Sequence, residues 1–170
     1  MVLSARLLRA FRALALLPLG AAALLSVAPA QASTPQLTWQ EAGSIGILCL
    51  VGPKTRSDAE KLQEEICDTV RELAAKGAPV PVTRLGFGDP ALLDRGNLTL
   101  LVHASIQNDG DHRLLALDVR PFRPGGDHNV IFFGAPPRAI RIPGSGPGGD
   151  KLQAALAAAL AETLPWRQVR

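Results

Sequence analysis

Three residues of the types that cleave ester and amide bonds occur near one another in the chain: His103, Ser105 and Asp118. In hydrolases of this kind a histidine acts as the base, a serine is the nucleophile and a carboxylate orients the imidazole ring. Apolar runs on both sides of Asp109-Gly110 predict a hairpin with these two residues in its turn. In that register the three side chains share one side of the hairpin, and Asp118 is diagonal to His103. A small hydrolase-like enzyme using His103 and Asp118 is therefore the alternative function of the chain.

The serine of this group is badly placed to act as a nucleophile. Ser105 follows His103 by two residues on the same predicted strand, so the two side chains point in parallel directions. The sequence has no Gly-x-Ser-x-Gly motif, and no donors for an oxyanion hole are evident. We therefore favour a function without catalysis.

The two cysteines, Cys49 and Cys67, are predicted to form a structural disulfide. Cys67 lies beside the apolar stripe of a predicted helix, and that helix must cover the strand that contains Cys49. A closed loop of about eighteen residues contributes about 3 kcal/mol in the chain-entropy model. Two buried thiols are the alternative, and the spacing does not fit a Cys-x-x-Cys redox motif.

Metal and cofactor motifs are incomplete in this sequence. His112 and His128 fall at opposite ends of one predicted strand, about 30 Å apart, so they cannot share a metal ion. Residues 144–149 match Gly-x-Gly-x-x-Gly, but no βαβ unit follows them, and Asp150 stands beside the motif where it would repel phosphate. We expect neither a metal site nor a cofactor.

One face of the predicted sheet is the candidate binding surface. The hairpin places a uniformly apolar set of side chains on its inner side and a mixed set on its outer side. A turn at residues 124–127 returns the chain through residues 129–135 as a third strand, which adds two apolar side chains to the outer side. An exposed apolar sheet face is typical of a partner surface. The alternative is that residues 33–43 or 138–142 fold over it. The candidate binding residues are Leu101, His103, Asp118, Arg120, Ile131 and Phe133.

The elements that position these residues follow one another as strand, helix, strand, short helical turn, three-strand meander and helix. An apolar run at 44–51 predicts a buried strand, and a capping box with apolar residues at helical spacing predicts a helix that ends at Gly77. A second strand at 80–85 implies a parallel pair with a right-handed crossover. Asp150 caps the last helix, which Pro165 ends. We predict a two-layer α/β sandwich, a mixed sheet of about five strands with two main helices on one face; an α+β domain is the alternative.

The first 32 residues match a cleaved secretory signal peptide. Three arginines precede an apolar run of about fifteen residues, and Ala30-Gln31-Ala32 is a small-residue cleavage site. The run is short for a membrane span, so we expect no stable membrane anchor after cleavage. A polar lead-in at 33–43, a single domain at 44–165 and a tail at 166–170 then complete the chain.

The charge balance bears on the partner. The 170 residues carry a net charge of +3, and the leader holds three arginines and no acid, so the remaining chain is neutral. A basic surface that would favour nucleic acid is therefore not predicted. The leading hypothesis is an exported, periplasmic or secreted, non-enzymatic binding or assembly module. It acts through the apolar sheet face and the arginine-bearing meander, and its partner is another protein or a second copy of the chain.

Overall fold

The computed structural model describes residues 39, 41–53, 59–124 and 134–168. In chain order these residues form β1 (Ser44–Gly52), α1 (Ala59–Ala75), β2 (Val82–Arg84), a 3-10 helix (Pro90–Leu93), β3 (Asn97–Asp109), β4 (His112–Phe122), β5 (Arg138–Pro143) and α2 (Gly149–Thr163). The strands form one sheet in the order β2-β1-β3-β4-β5. β1 is parallel to β2 and β3, whereas β3, β4 and β5 are antiparallel to one another. The predicted two-layer α/β sandwich is confirmed.

Both helices cover the same face of the sheet, which we call the inner face. Alternate β1 residues point to this face. One of them, Cys49, forms a disulfide with Cys67 of α1, and the two Cα atoms are 5.8 Å apart. The predicted apolar stripes of the helices are buried against it, because residues three or four apart share one side of a helix. These stripes are Leu62, Ile66, Val70 and Leu73 in α1 and Leu152, Leu156, Leu160 and Leu164 in and after α2.

The β3–β4 hairpin differs from its predicted register by two residues. Asp109 pairs with His112, so Gly110 and Asp111 form the turn in place of Asp109 and Gly110. Gly110 has φ +60°, the conformation that a type II′ turn requires of its first central residue. Because the shift is even, every side chain stays on its predicted face. The predicted diagonal between His103 and Asp118 is wrong, since these two residues are directly opposite each other.

The second partner strand of β4, on the side away from β3, also differs from prediction. It is β5, and Gly134 and Ala135 are not in a strand. The Ala135 N–H instead donates to the Val119 carbonyl at 3.2 Å. Ile131 and Phe133 lie outside the described residues. The expectation that residues 138–142 fold over the outer face is wrong, because these residues extend the sheet at its edge.

The loop between β5 and α2 is held by two charged side chains. Arg113 is fully buried and donates from Nε to the Pro143 carbonyl and from a terminal nitrogen to the Gly146 carbonyl, each at 2.7 Å. Both Glu65 carboxylate oxygens accept from the Gly148 N–H, at 3.0 and 2.9 Å. Gly148 is the residue that caps α2, so the predicted cap at Asp150 is wrong. The glycine-rich motif thus encloses an arginine of the protein itself.

Candidate functional site

The face of the sheet opposite the helices, the outer face, carries the described candidate residues. Side chains alternate between the two faces along each strand, so every second residue of β1, β3 and β4 points to the outer face. They form a band of apolar side chains around a charged centre, composed of Leu50, Leu101, His103, Leu114, Ala116, Asp118, Arg120 and Phe122. The structure therefore brings four of the six predicted binding residues to one surface.

The charged centre lies on β3 and β4, which pair with each other. His103 is directly opposite Asp118, and Leu101 is opposite Arg120. Arg120 Nε lies 3.5 Å from Asp118 Oδ2, with the guanidinium more exposed than the carboxylate. Directly opposed residues on paired strands have Cβ atoms about 4.5–5.5 Å apart. The three side chains thus form one polar cluster in the middle of the outer face.

The hydrolase arrangement is incomplete among the residues that the structure describes. Ser105 is opposite Ala116 and points in the same direction as His103, two residues away. A groove of about 640 Å³ is lined by residues of β5 and α2 and not by His103 or Asp118. Within the described ranges no three metal-ligating side chains come together. What the cluster offers chemically is an ion pair and an imidazole at an open surface.

Two large apolar side chains on this surface are not among the six candidate binding residues. Phe122 is 49% exposed and Leu114 is 38% exposed. Phe122 was not among the candidate binding residues, and in the structure β4 continues past Pro121 so that Phe122 pairs with Thr99. Its position in the alternating pattern is the signal that assigns it to the outer face.

One end of the outer face is covered. A Cβ atom at Gly46 would lie 2.1 Å from Leu85 Cδ1 and 3.1 Å from Asn97 Nδ2, so the chain after β2 crosses the sheet there. Asn97 also donates to the carbonyl of Ala91, in the 3-10 helix, at 3.1 Å. The lead-in at 33–43 was one alternative cover for the outer face. Two of its residues, Trp39 and Ala42, instead pack into the core. The exposed part of the face lies around β3 and β4.

Comparisons with known proteins give two solved structures of similar shape. Both are PelC dodecamers from Paraburkholderia phytofirmans. One has a TM-score of 0.47 and 10% sequence identity, with 76% of this chain and 90% of that chain covered. The other has a TM-score of 0.46 and 12% identity, with 82% and 95% covered. No family model matches the chain, and no curated protein matches it.

Proposed function

We propose that the protein is an exported, non-enzymatic binding or assembly module and that the outer face is its docking surface. The observation that carries the proposal is the exposure of Leu114 and Phe122 on a sheet face whose opposite side is fully packed by helices. Side chains of this size lose contact with water when a partner binds, which contributes about 25 cal/mol per Å² of apolar surface. The ion pair of Arg120 with Asp118 adds directional contacts at the centre of the surface.

Export is supported by the sequence and by the disulfide. Residues 1–32 match a signal peptide, and disulfides persist in oxidising compartments. Among the described residues, none of the helices has the length and hydropathy needed to cross a bilayer. We propose that the mature protein, after cleavage of the leader, is located in the periplasm or outside the cell.

The partner is another protein or a second copy of this chain. A mixed surface of aromatic, aliphatic and arginine side chains is the composition of protein interfaces, in which aromatic residues and arginine are enriched. Ile131 and Phe133 remain proposed members of the same surface. Arg141 of β5, opposite Leu114, adjoins this surface. Nucleic acid is not part of the proposal because the chain after the leader is neutral.

Hydrolysis is the second candidate function, favoured by one observation, the direct opposition of His103 and Asp118. A carboxylate beside an imidazole orients the ring and stabilises its protonated form. If this function operates, His103→Ala abolishes turnover of ester or amide substrates and leaves docking unchanged. If His103→Ala weakens docking, and neither the variant nor the unmodified chain turns over such substrates, the binding module is favoured.

The proposal is tested by placing a photo-crosslinking amino acid at Phe122 and, as a matched control, at Leu93. Both side chains are exposed and apolar, but Leu93 is in the 3-10 helix and outside the band defined above. We expect irradiation of cells to give a discrete crosslinked species from position 122 and none from position 93. Mass spectrometry of that species distinguishes a second protein from a second copy.

Substitution provides the complementary measurement. Phe122→Ser should remove the crosslink made by the same photoreactive residue placed at Leu114, while the melting temperature stays within a few degrees because the side chain is half exposed. Absence of any discrete product from positions 114 and 122 would contradict the docking surface.

A further inference from the structure

The C-terminal half of β1 is an open sheet edge. β2 pairs only with the stretch from Ile45 to Ile47, while β3 pairs with all of β1 on the other side. Ile45 donates to the Pro81 carbonyl and the Ile47 carbonyl accepts from Leu85, both at 2.9 Å. Backbone groups of alternate residues point to the same side of a strand. Cys49 and Val51 therefore direct their N–H and C=O groups to a side where, within the described residues, no strand lies.

A slot continues the line of β2 along this edge. Its cavity has a volume of about 380 Å³ and extends between α1 and the turn after β2. A smaller cavity of about 110 Å³ adjoins Val51 and the first turn of α1. Gln63 lines both cavities, and Phe87, 87% exposed, stands at the mouth of the larger one. The slot thus offers backbone hydrogen bonds at its base and an apolar side chain at its rim.

The opposite end of the sheet has a second open edge, at β5. Val119 accepts from Ala135, so the odd-numbered residues of β4 direct their backbone groups toward β5. In the observed pairing these residues are opposite even-numbered β5 residues such as Ile140. Ala139 and Arg141 therefore direct their N–H and C=O groups away from the sheet. The groove of about 640 Å³ runs along this edge, with Arg138, Arg141 and Lys151 in its lining.

The two edges are complementary in backbone pattern. Each presents two residues, spaced two apart, whose N–H and C=O groups point to a side where no strand of the described residues lies. They lie at opposite ends of one sheet, so a copy can use both edges at once. Strand addition at an exposed edge is a common mode of recognition, in which main-chain hydrogen bonds supply affinity.

Charge also distinguishes the two ends. The exposed side of α1 has an acid at every fourth position: Glu60, Glu64, Asp68 and Glu72. Glu60 lines the smaller cavity, and Asp68 contacts Arg84, which lines the larger one. The β5 edge has three cations, of which Arg141 keeps 61% of its side chain exposed while it contacts Asp109. Arg138 contacts Glu162, and Lys151 has no acidic contact among the described residues. Complementary charges orient an encounter and disfavour pairing of like ends.

We infer that β5 of one copy adds to the slot beside β1 of a second copy, so that copies of this chain assemble head to tail into a continuous sheet. Such an interface is heterologous, and repetition produces a ring if the rotation closes and a filament if it does not. The inference does not rest on the proposed function, because the outer face takes no part in the edge contact and stays open to a partner.

Two variants test the edges separately in the full exported chain. Ala139→Pro removes the outward N–H of β5, and proline is tolerated on the free side of an edge strand. Ala139→Thr is its control, since threonine keeps the donor. Gln63→Trp fills the slot from α1, and Lys61→Trp is its control on the exposed side of the same helix. Circular dichroism and the intact disulfide establish that each variant folds.

Sedimentation velocity then measures assembly. We expect the unmodified chain and both controls to form higher assemblies, and Ala139→Pro and Gln63→Trp each to weaken self-association at least about tenfold, equivalent to about 1.4 kcal/mol. An equimolar mixture of these two variants should form a dimer and stop there. The intact β5 of the Gln63→Trp chain can add to the intact slot of the Ala139→Pro chain, but the two edges left exposed on that dimer are both altered.

Three outcomes would overturn the inference. They are a monomeric unmodified chain, assembly unaffected by both edge variants, and a mixture that stays monomeric. Phe122→Ser separates this inference from the docking proposal, because it should leave edge assembly unchanged. If it abolished assembly while the edge variants did not, copies would meet through the outer face and only the edge model would fail.

Discussion

Trp39 and Trp166 contact each other edge to face, with ring centroids 5.5 Å apart and an interplanar angle of 85°. This contact joins the residues before β1 to those after α2. The indole Nε1 of Trp166 also donates to the Ala74 carbonyl, in the last turn of α1, at 3.0 Å. Edge-to-face aromatic pairs contribute about 0.5–1.5 kcal/mol beyond the burial of their surface. The segment after α2 is thereby part of the packed domain.

Trp166→Ala should lower the free energy of unfolding by about 3 kcal/mol, because the aromatic contact, the hydrogen bond to Ala74 and apolar burial are lost together. Trp166→Phe keeps a ring against Trp39 and should cost about half as much. Urea unfolding followed by circular dichroism measures both. Equal losses for the two variants would show that the edge contact contributes little.

Gly46→Ala should destabilise the domain by about 1–3 kcal/mol, because the new methyl group would meet Leu85 at 2.1 Å and force the covering segment to move. Gly86→Ala is the matched control, since nothing lies within 4 Å of its Cβ position. The control should change the midpoint of urea unfolding only slightly. Similar midpoints for both variants would contradict the close packing described for the outer face.

Arg113→Met should cost about 2–4 kcal/mol, because the Pro143 and Gly146 carbonyls lose a charged donor inside the protein. Arg113→Lys keeps a cation but cannot reproduce the planar fork of donors. Hydrogen exchange at residues 144–149 should accelerate in both variants, and more in the methionine variant. Unchanged exchange there would show that the loop holds its shape without the arginine.

Protein recovered from the exported fraction should begin at Ser33, if the proposed leader is cleaved after Ala32, and contain no free thiol, because Cys49 is joined to Cys67. Intact mass spectrometry after alkylation tests both statements. Reduction should lower the free energy of unfolding by about 3 kcal/mol, since the crosslink closes a loop of 18 residues. An intact Met1 in that fraction would remove the basis for export.

The sequence predicts best where a regular pattern extends over several turns or strands. The stripe from Leu62 to Leu73 is the clearest case, because burial of one side of a helix requires one period. The run that forms β1 is apolar on both faces and is identified by its short length and the Gly52-Pro53 pair that ends it. The outer face is likewise predictable from alternation, although the hairpin register is not. Both Asp109-Gly110 and Gly110-Asp111 fit a two-residue turn, and a shift of two residues preserves every face.

The third strand of the meander could not be chosen from local pattern alone. Residues 129–135 and 138–142 both contain β-branched or apolar residues at suitable spacing. In the structure the segment at 138–143 pairs with β4, with Ile142 opposite Arg113 and Ile140 opposite Leu115, whereas residues 129–133 lie outside the described residues. The Pro136-Pro137 pair, which lacks two N–H donors immediately before β5, is the local signal that separates the two segments. The pairing of β5 with β4 therefore depends on contacts between residues distant in sequence.

The two-residue turn between β3 and β4 has a consequence for how the chain folds. Residues of this hairpin find their partners over a short stretch of chain, and isolated hairpins form in about 1–10 μs. The parallel pairing of β1 with β3 requires the whole of α1 and β2 to be accommodated between them, which is slower because distant contacts cost loop entropy. The hairpin is thus the template to which the N-terminal strand is added.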